Sequence, residues 1–144
     1  MRELVSKIRV FNADEMVQLG YHFASILRGN ELVCLEGPLG SGKTTFAKGF
    51  GIAFNIKEEI ISPSFLILRE YKGTHPIYHY DLYRLKSLEE LEQIGFFDHL
   101  GREGIKMIEW ADKFPELYKY TDWIIKYELL GVDKRVVEFY ECHA

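Results

Sequence analysis

Cysteine is scarce in this 144-residue chain: only Cys34 and Cys142 occur, at no metal-ligand spacing. That excludes a disulfide-dense scaffold and a cysteine-built metal centre. The two are read as free thiols of a reducing cytosol, with Cys34 a small core residue. No apolar run approaches the length needed to cross a bilayer, and neither end reads as a signal peptide, so a cytoplasmic protein without membrane attachment is expected. Basic residues are not in excess either: 18 stand against 22 acidic ones, for a net charge of −4. Lys57 is followed by Glu58 and Glu59, and Arg84 and Lys86 by Glu89 and Glu90. This argues against independent nucleic-acid binding, short of a basic patch assembled by folding. Repeats, low-complexity segments and linkers are also missing, which leaves residues 1–144 as a single domain. At 47% hydrophobic and 28% charged, the chain can bury a real core.

What is present is more specific. Residues Gly37-Pro38-Leu39-Gly40-Ser41-Gly42-Lys43-Thr44 read G-x-x-x-x-G-K-T, a phosphate-binding P-loop. The apolar run from Glu31 to Glu36 before it suits a buried strand. Thr45 to Ala53 after it can wind as a helix, weakened by its glycines. Strand, glycine-rich turn and helix N-terminus are the context the motif needs: backbone N–H groups and the positive end of the helix dipole stabilise phosphate charge. Lys43 is expected to reach the β- and γ-phosphates and the Thr44 hydroxyl to ligate Mg²⁺, so the chain is read as binding a nucleoside triphosphate.

Around this loop the spacing predicts an α/β core with antiparallel additions. Lys7 to Phe11 forms a first strand. Asn12 then caps a helix, with Glu15 in capping-box spacing, Met16, Leu19, Gly20, Phe23 and Leu27 on one stripe, and Gly29 as its close. Residues 65–71 and 77–83 pair as a hairpin, Ser87 caps a short helix over Leu88 to Ile94, and Ile105 to Ile108 is a strand. Residues 123–129 and 135–140 flank a turn at 131–134 as a second hairpin.

Phosphoryl transfer also needs an acid for Mg²⁺ and a group that orients the nucleophile. Glu109, directly after the strand Lys106-Met107-Ile108, stands where such an acid belongs, though Asp is usual there; a solvated charge at a strand end is the other reading. Asp81 is the second candidate. Alternation puts His79, Asp81 and Tyr83 on one strand face, a polar cluster that suits either a nearby metal or phosphate or a structural hydrogen-bond network. Ser62-Pro63-Ser64 offers hydroxyls to a γ-phosphate or simply shapes a turn.

The P-loop is followed by S-P-S-F, H-Y-D-L-Y-R-L, E-E-L-E-Q-I-G and I-E-W, in that order. This succession resembles the TsaE (YjeE) family, the small P-loop ATPases of bacterial tRNA threonylcarbamoyladenosine synthesis, over roughly residues 12–112. The resemblance implies a P-loop NTPase fold with a mainly parallel central sheet and appended antiparallel strands. It implies ATP or ADP bound with Mg²⁺, slow hydrolysis without partners, and assembly with TsaD and TsaB to modify adenosine 37 of tRNA, with tRNA contacted only through that complex. Lys43 and Thr44 become the phosphate and Mg²⁺ residues, and Thr45 the second threonine of G-K-T-T. Ser62 to Phe65 resembles the switch segment, Asp81 the Mg²⁺-associated acid, and Glu109 with Trp110 a Walker-B-like pair. Asp81 is assigned to the metal and Glu109 to the attacking water, with exchange of the two left open. The chain departs from the pattern at Ser64, where threonine is common, and at Met16, also commonly threonine; the second puts a base or ribose contact there in question.

Rival classes remain on these residues. A small-molecule kinase needs an acceptor pocket and an arginine-bearing lid, but Arg69, Arg84, Arg102 and Arg135 are scattered downstream of the loop. A signalling GTPase would carry N-K-x-D, which is missing. A nucleotide-gated binding module with incidental hydrolysis is the non-enzyme alternative.

Overall fold

Alternating apolar residues build one seven-stranded sheet, and its register decides where the polar residues meet. The computed structural model describes residues 1–63 and 66–143. In chain order the elements are β1 (Arg2–Val10), α1 (Ala13–Ser25), β2 (Leu32–Glu36), α2 (Lys43–Ala53), β3 (Leu68–Tyr71) and β4 (Ile77–Asp81). They continue with α3 (Leu88–Gln93), α4 (Phe96–Leu100), β5 (Ile105–Glu109), two 3₁₀ turns at Ala111–Lys113 and Pro115–Tyr120, β6 (Trp123–Leu129) and β7 (Arg135–Cys142).

The sheet order is β1-β7-β6-β2-β5-β4-β3. Strands β6, β2, β5 and β4 run parallel, while β3 and the β7–β1 pair add antiparallel edges. This is the expected α/β architecture with a mainly parallel centre, and both hairpins form where the turn chemistry puts them. Parallel central strands buried on both faces read as continuous apolar runs, as Leu32-Val33-Cys34-Leu35 does. Period two still sorts them: Val33 and Leu35 face the α1/α2 layer with Phe23, Phe46 and Phe50. Leu32 and Cys34 face the opposite layer of Leu91, Phe96, Phe114 and Leu117. Burial raises the Cys34 thiol to about 12, consistent with an inert core residue.

Asn12 caps α1 as predicted, its side chain accepting from Glu15 N at 2.8 Å. The helix stops at Ser25, however, short of Gly29. The Glu31 carboxylate accepts from the backbone N–H groups of Arg28, Gly29 and Asn30, so this stretch satisfies its donors outside a helix. The glycines of α2 do not break it. A Cβ on Gly49 would lie 2.3 Å from Tyr21 N and Val17 O, and one on Gly20 2.0 Å from Phe46 O. They are where α1 and α2 touch backbone to backbone.

Several strand boundaries differ from expectation: β1 begins at Arg2 rather than Lys7, and β7 runs on to Cys142. The strand expected over 65–71 begins only at Leu68, because Leu66 N and Ile67 N both donate to Pro63 O and Ile67 takes φ +67°. Phe65 lies outside the described residues. Strand β4 ends at Asp81, so Tyr83 does not share a strand face with His79 and Asp81; it turns out to solvent while the Asp81 carboxylate accepts from Tyr83 N at 3.0 Å.

Candidate functional site

Register sets the site. Asp81 and Glu109 are direct partners at the carboxyl ends of the parallel strands β4 and β5, and Glu109 also pairs with Leu35 at the end of β2. The chain leaving β2 turns through the glycine-rich loop into α2, so loop and carboxylates converge on one end of the sheet. In parallel α/β sheets this is where ligands bind, beside the point where neighbouring strands send their connections to opposite sides. Here it lies between β2, which leads into α2 on the face of Phe23, and its neighbour β5, which leads into the 3₁₀ turns on the face of Phe96.

The loop has the backbone its sequence requires. Gly40 and Gly42 take φ of +80° and +106°, values that strain other residues, and Gly42 precedes the first residue of α2. Pro38, Leu39, Gly40, Gly42, Lys43, Thr44 and Thr45 line a cleft of about 1170 Å³. This is above the range of roughly 300–1,000 Å³ usual for small-molecule sites. Gly37 and Ser41, expected among the binding residues, do not line it. Gly37 turns its carbonyl to Lys43 Nζ at 2.7 Å, and Ser41 is buried beneath the loop with its N–H donating to Pro38 O.

The charged residues form a chain. Lys43 Nζ lies 3.4 Å from Glu109 Oε1, and His79 Nε2 lies 2.8 Å from Glu109 Oε2, with all three side chains buried. Glu109 is therefore not a solvated strand-end charge. Burial pushes its carboxyl toward the neutral form, but the His79 imidazole and the Lys43 ammonium outweigh that and hold it below the ordinary carboxylate value. Directly after it Trp110 adopts φ +65°, a strained value for a bulky residue. The Trp110 ring lies 5.5 Å from Lys43 Nζ and meets Tyr83 edge-on at 4.9 Å.

The cleft gathers Asp81, Glu109, Trp110 and Ser62 with the loop, while Ser64 lies outside the described residues. Its walls come from opposite halves of the sheet: Asp81, Tyr83, Arg84, Glu109 and Trp110 from the β4–β5 side, and Phe11, Asn12, Met16, Val132, Asp133 and Arg135 from the β1–β7 side. Sequence spacing does not single out this second wall as functional; only the family resemblance raises a question there, at Met16. Arg135 donates to Gly40 O at 3.3 Å across 95 residues, a contact made only by the fold. Met16 packs on the loop; a Cβ on Gly42 would meet its Cε at 2.7 Å.

Comparison with known proteins identifies the family. The family model described as "Threonylcarbamoyl adenosine biosynthesis protein TsaE" matches residues 10–137. The chain belongs to the TsaE family. It is 34% identical over 134 residues to the Bacillus subtilis tRNA threonylcarbamoyladenosine biosynthesis protein TsaE, covering 92% of this chain and 84% of that one. The Aquifex aeolicus protein of the same name is 33% identical over 141 residues, covering 96% and 98%. A crystal structure of Bacillus subtilis YdiB superposes with a TM-score of 0.79 at 29% identity, over 99% of this chain and 88% of that one. The matched residues span the loop, β4 and β5. No helix among the described residues is long and apolar enough to cross a membrane.

Proposed function

We propose that the chain is a Mg²⁺-dependent ATP-binding protein and slow ATPase, stimulated by its partners TsaD and TsaB, that supports threonylcarbamoyladenosine modification of tRNA position 37. The family's name supplies the pathway, and the work belongs in the cytoplasm, where tRNA is. One observation carries the ATPase half of the reading: a P-loop lysine and a buried carboxylate share one ion pair at the mouth of the loop.

In this reading the triphosphate lies along the loop with its γ end toward β4 and β5 and its base toward Phe11 and the β6–β7 turn. Backbone N–H groups of the loop and the α2 N-terminus meet the phosphates. Lys43 leaves Glu109 for the β- and γ-phosphates, and Glu109 Oε1 is thereby released. The Thr44 hydroxyl and the Asp81 carboxylate are hard oxygen donors on one cleft, a set that suits Mg²⁺. When bound, Mg²⁺ neutralises charge on the phosphate oxygens. Glu109 orients a water whose oxygen bonds to the γ-phosphorus as the bond to the β–γ bridging oxygen breaks. Its proton passes to the carboxylate, and ADP and phosphate leave. Trp110 closes the site over Lys43.

The test is phosphate release by the purified protein, alone and with TsaB and TsaD, with Glu109→Ala alongside. A low rate raised by both partners and lost in the variant is expected. A rate indifferent to the partners overturns the reading. Full tRNA modification by a complex whose hydrolysis is abolished favours a nucleotide-gated module instead.

A further inference from the structure

His79 is fully buried and does not line the cleft, yet one of its ring nitrogens touches the residue on which the chemistry above depends. Its position follows from register. His79 pairs with Met107 across the parallel β4–β5 ladder, which places Glu109 two residues further along on the same face. The imidazole spans that diagonal and puts Nε2 2.8 Å from Oε2. Its Nδ1 has no protein hydrogen-bond partner among the described residues. Among the described residues the ring's only polar tie is therefore Glu109. Burying a polar ring with one nitrogen unsatisfied disfavours folding relative to an aliphatic side chain. Packing alone does not account for histidine at this place.

Glu109 is held at both oxygens, by Lys43 on one and His79 on the other. The two grips differ in kind. Lys43 is a flexible chain with a second partner, the Gly37 carbonyl, and phosphates to reach. His79 is a short ring on β4, a strand paired on both sides. Once Lys43 has moved to phosphate, His79 is the partner that stays. The carboxylate needs a donor at Nε2 in either charge state of the ring.

We propose that His79 is a positioning residue: it holds the Glu109 carboxylate in its water-orienting pose after Lys43 has left for the nucleotide. This rests on the assignment of Glu109 in the preceding section. The experiment measures kcat for ATP hydrolysis in the TsaB–TsaD complex, together with the affinity of the protein for a fluorescent ATP analogue. The variants are His79→Ala, His79→Asn and His79→Gln, with His79→Ala repeated in the Glu109→Ala background. Groups that orient metal-binding side chains are worth about 10- to 100-fold in activity, and His79→Ala, which removes a comparable orienting contact, should lower kcat by a similar factor with nucleotide affinity unchanged. His79→Gln, whose amide nitrogen reaches the place of Nε2, should recover most of the rate. His79→Asn, whose amide stops near Nδ1, should not, and that pair decides the matter if the alanine variant folds poorly. In the Glu109→Ala background, where the residual rate is read by single turnover with enzyme in excess, the loss should vanish, because His79 acts only through that carboxylate. An equal loss in both backgrounds, a parallel loss of affinity, or equal rates for Asn and Gln overturns the proposal. Wild-type turnover with no change in any variant overturns it alone. No phosphate release from the wild-type complex overturns the functional reading itself.

Discussion

Lys43 Nζ and Glu109 Oε1 lie 3.4 Å apart, with less than a tenth of either side chain exposed. The ion pair ties the first residue of α2 to the last residue of β5. In the proposed mechanism it is exchanged for phosphate when nucleotide enters. Removing Lys43 then costs the charge-assisted contact to the phosphates and leaves Glu109 with His79 alone. A charged hydrogen bond contributes about 1.5–3 kcal/mol, so Lys43→Ala is expected to weaken ATP binding by roughly ten- to a hundredfold. Titration with a fluorescent ATP analogue checks this. Unchanged affinity would remove Lys43 from the phosphate site.

Glu109→Ala should behave differently. It removes the water-orienting group and frees Lys43 from its ion pair, so binding should persist while partner-stimulated turnover falls by about a hundredfold or more. Asp81→Ala should instead raise the Mg²⁺ concentration needed for half-maximal nucleotide binding. If the two variants show these phenotypes reversed, the roles of the two acids are exchanged.

Glu31 predicts the acid limb of stability. Burial acts to raise its carboxyl, but hydrogen bonds from the backbone of residues 28–31 outweigh that and hold it below the ordinary 4.5. A folded-state value below the unfolded one means that the contribution is complete above 4.5 and is lost as pH falls through the lowered value. Glu31→Gln should cost about 1 kcal/mol at neutral pH and lose less on acidification. Urea midpoints measured from pH 7 down to acid test both parts. A variant with the wild-type slope would show that Glu31 is not the group responsible.

Gly20→Ala sets two effects against each other. Helix propensity favours alanine by about 1 kcal/mol in a helix interior. The added Cβ, however, would sit 2.0 Å from the Phe46 carbonyl oxygen, and backbone cannot move aside cheaply. Overpacking costs about 1–3 kcal/mol and a clash with backbone belongs at the upper end, so the variant should be less stable by about 2 kcal/mol. A urea midpoint equal to or above the wild type would mean that α1 and α2 separate without penalty.

Much of the site was legible because its parts are local. The G-K-T turn needs its glycines at fixed offsets, and the caps at Asn12 and Ser87 act over three residues, as the structure bears out. Boundaries were less legible where side chains compete with secondary structure. Glu31 gathers backbone donors after α1, and Pro63 O accepts two N–H groups and delays β3. The turn at Asp81 likewise sends Tyr83 away from the face that alternation gave it.

By itself the sequence determined the strand–loop–helix unit, the two hairpins and the candidate acids, since periodicity, turn chemistry and motif spacing are properties of neighbouring residues. Only the tertiary structure decided that β5 inserts between β2 and β4, and hence that Asp81 and Glu109 stand side by side. It alone joined His79 to Glu109 and brought Arg135 to Gly40. Those contacts depend on strand order and register, which arise from burying both faces of the sheet at once, a condition on the whole chain that no local run of residues encodes.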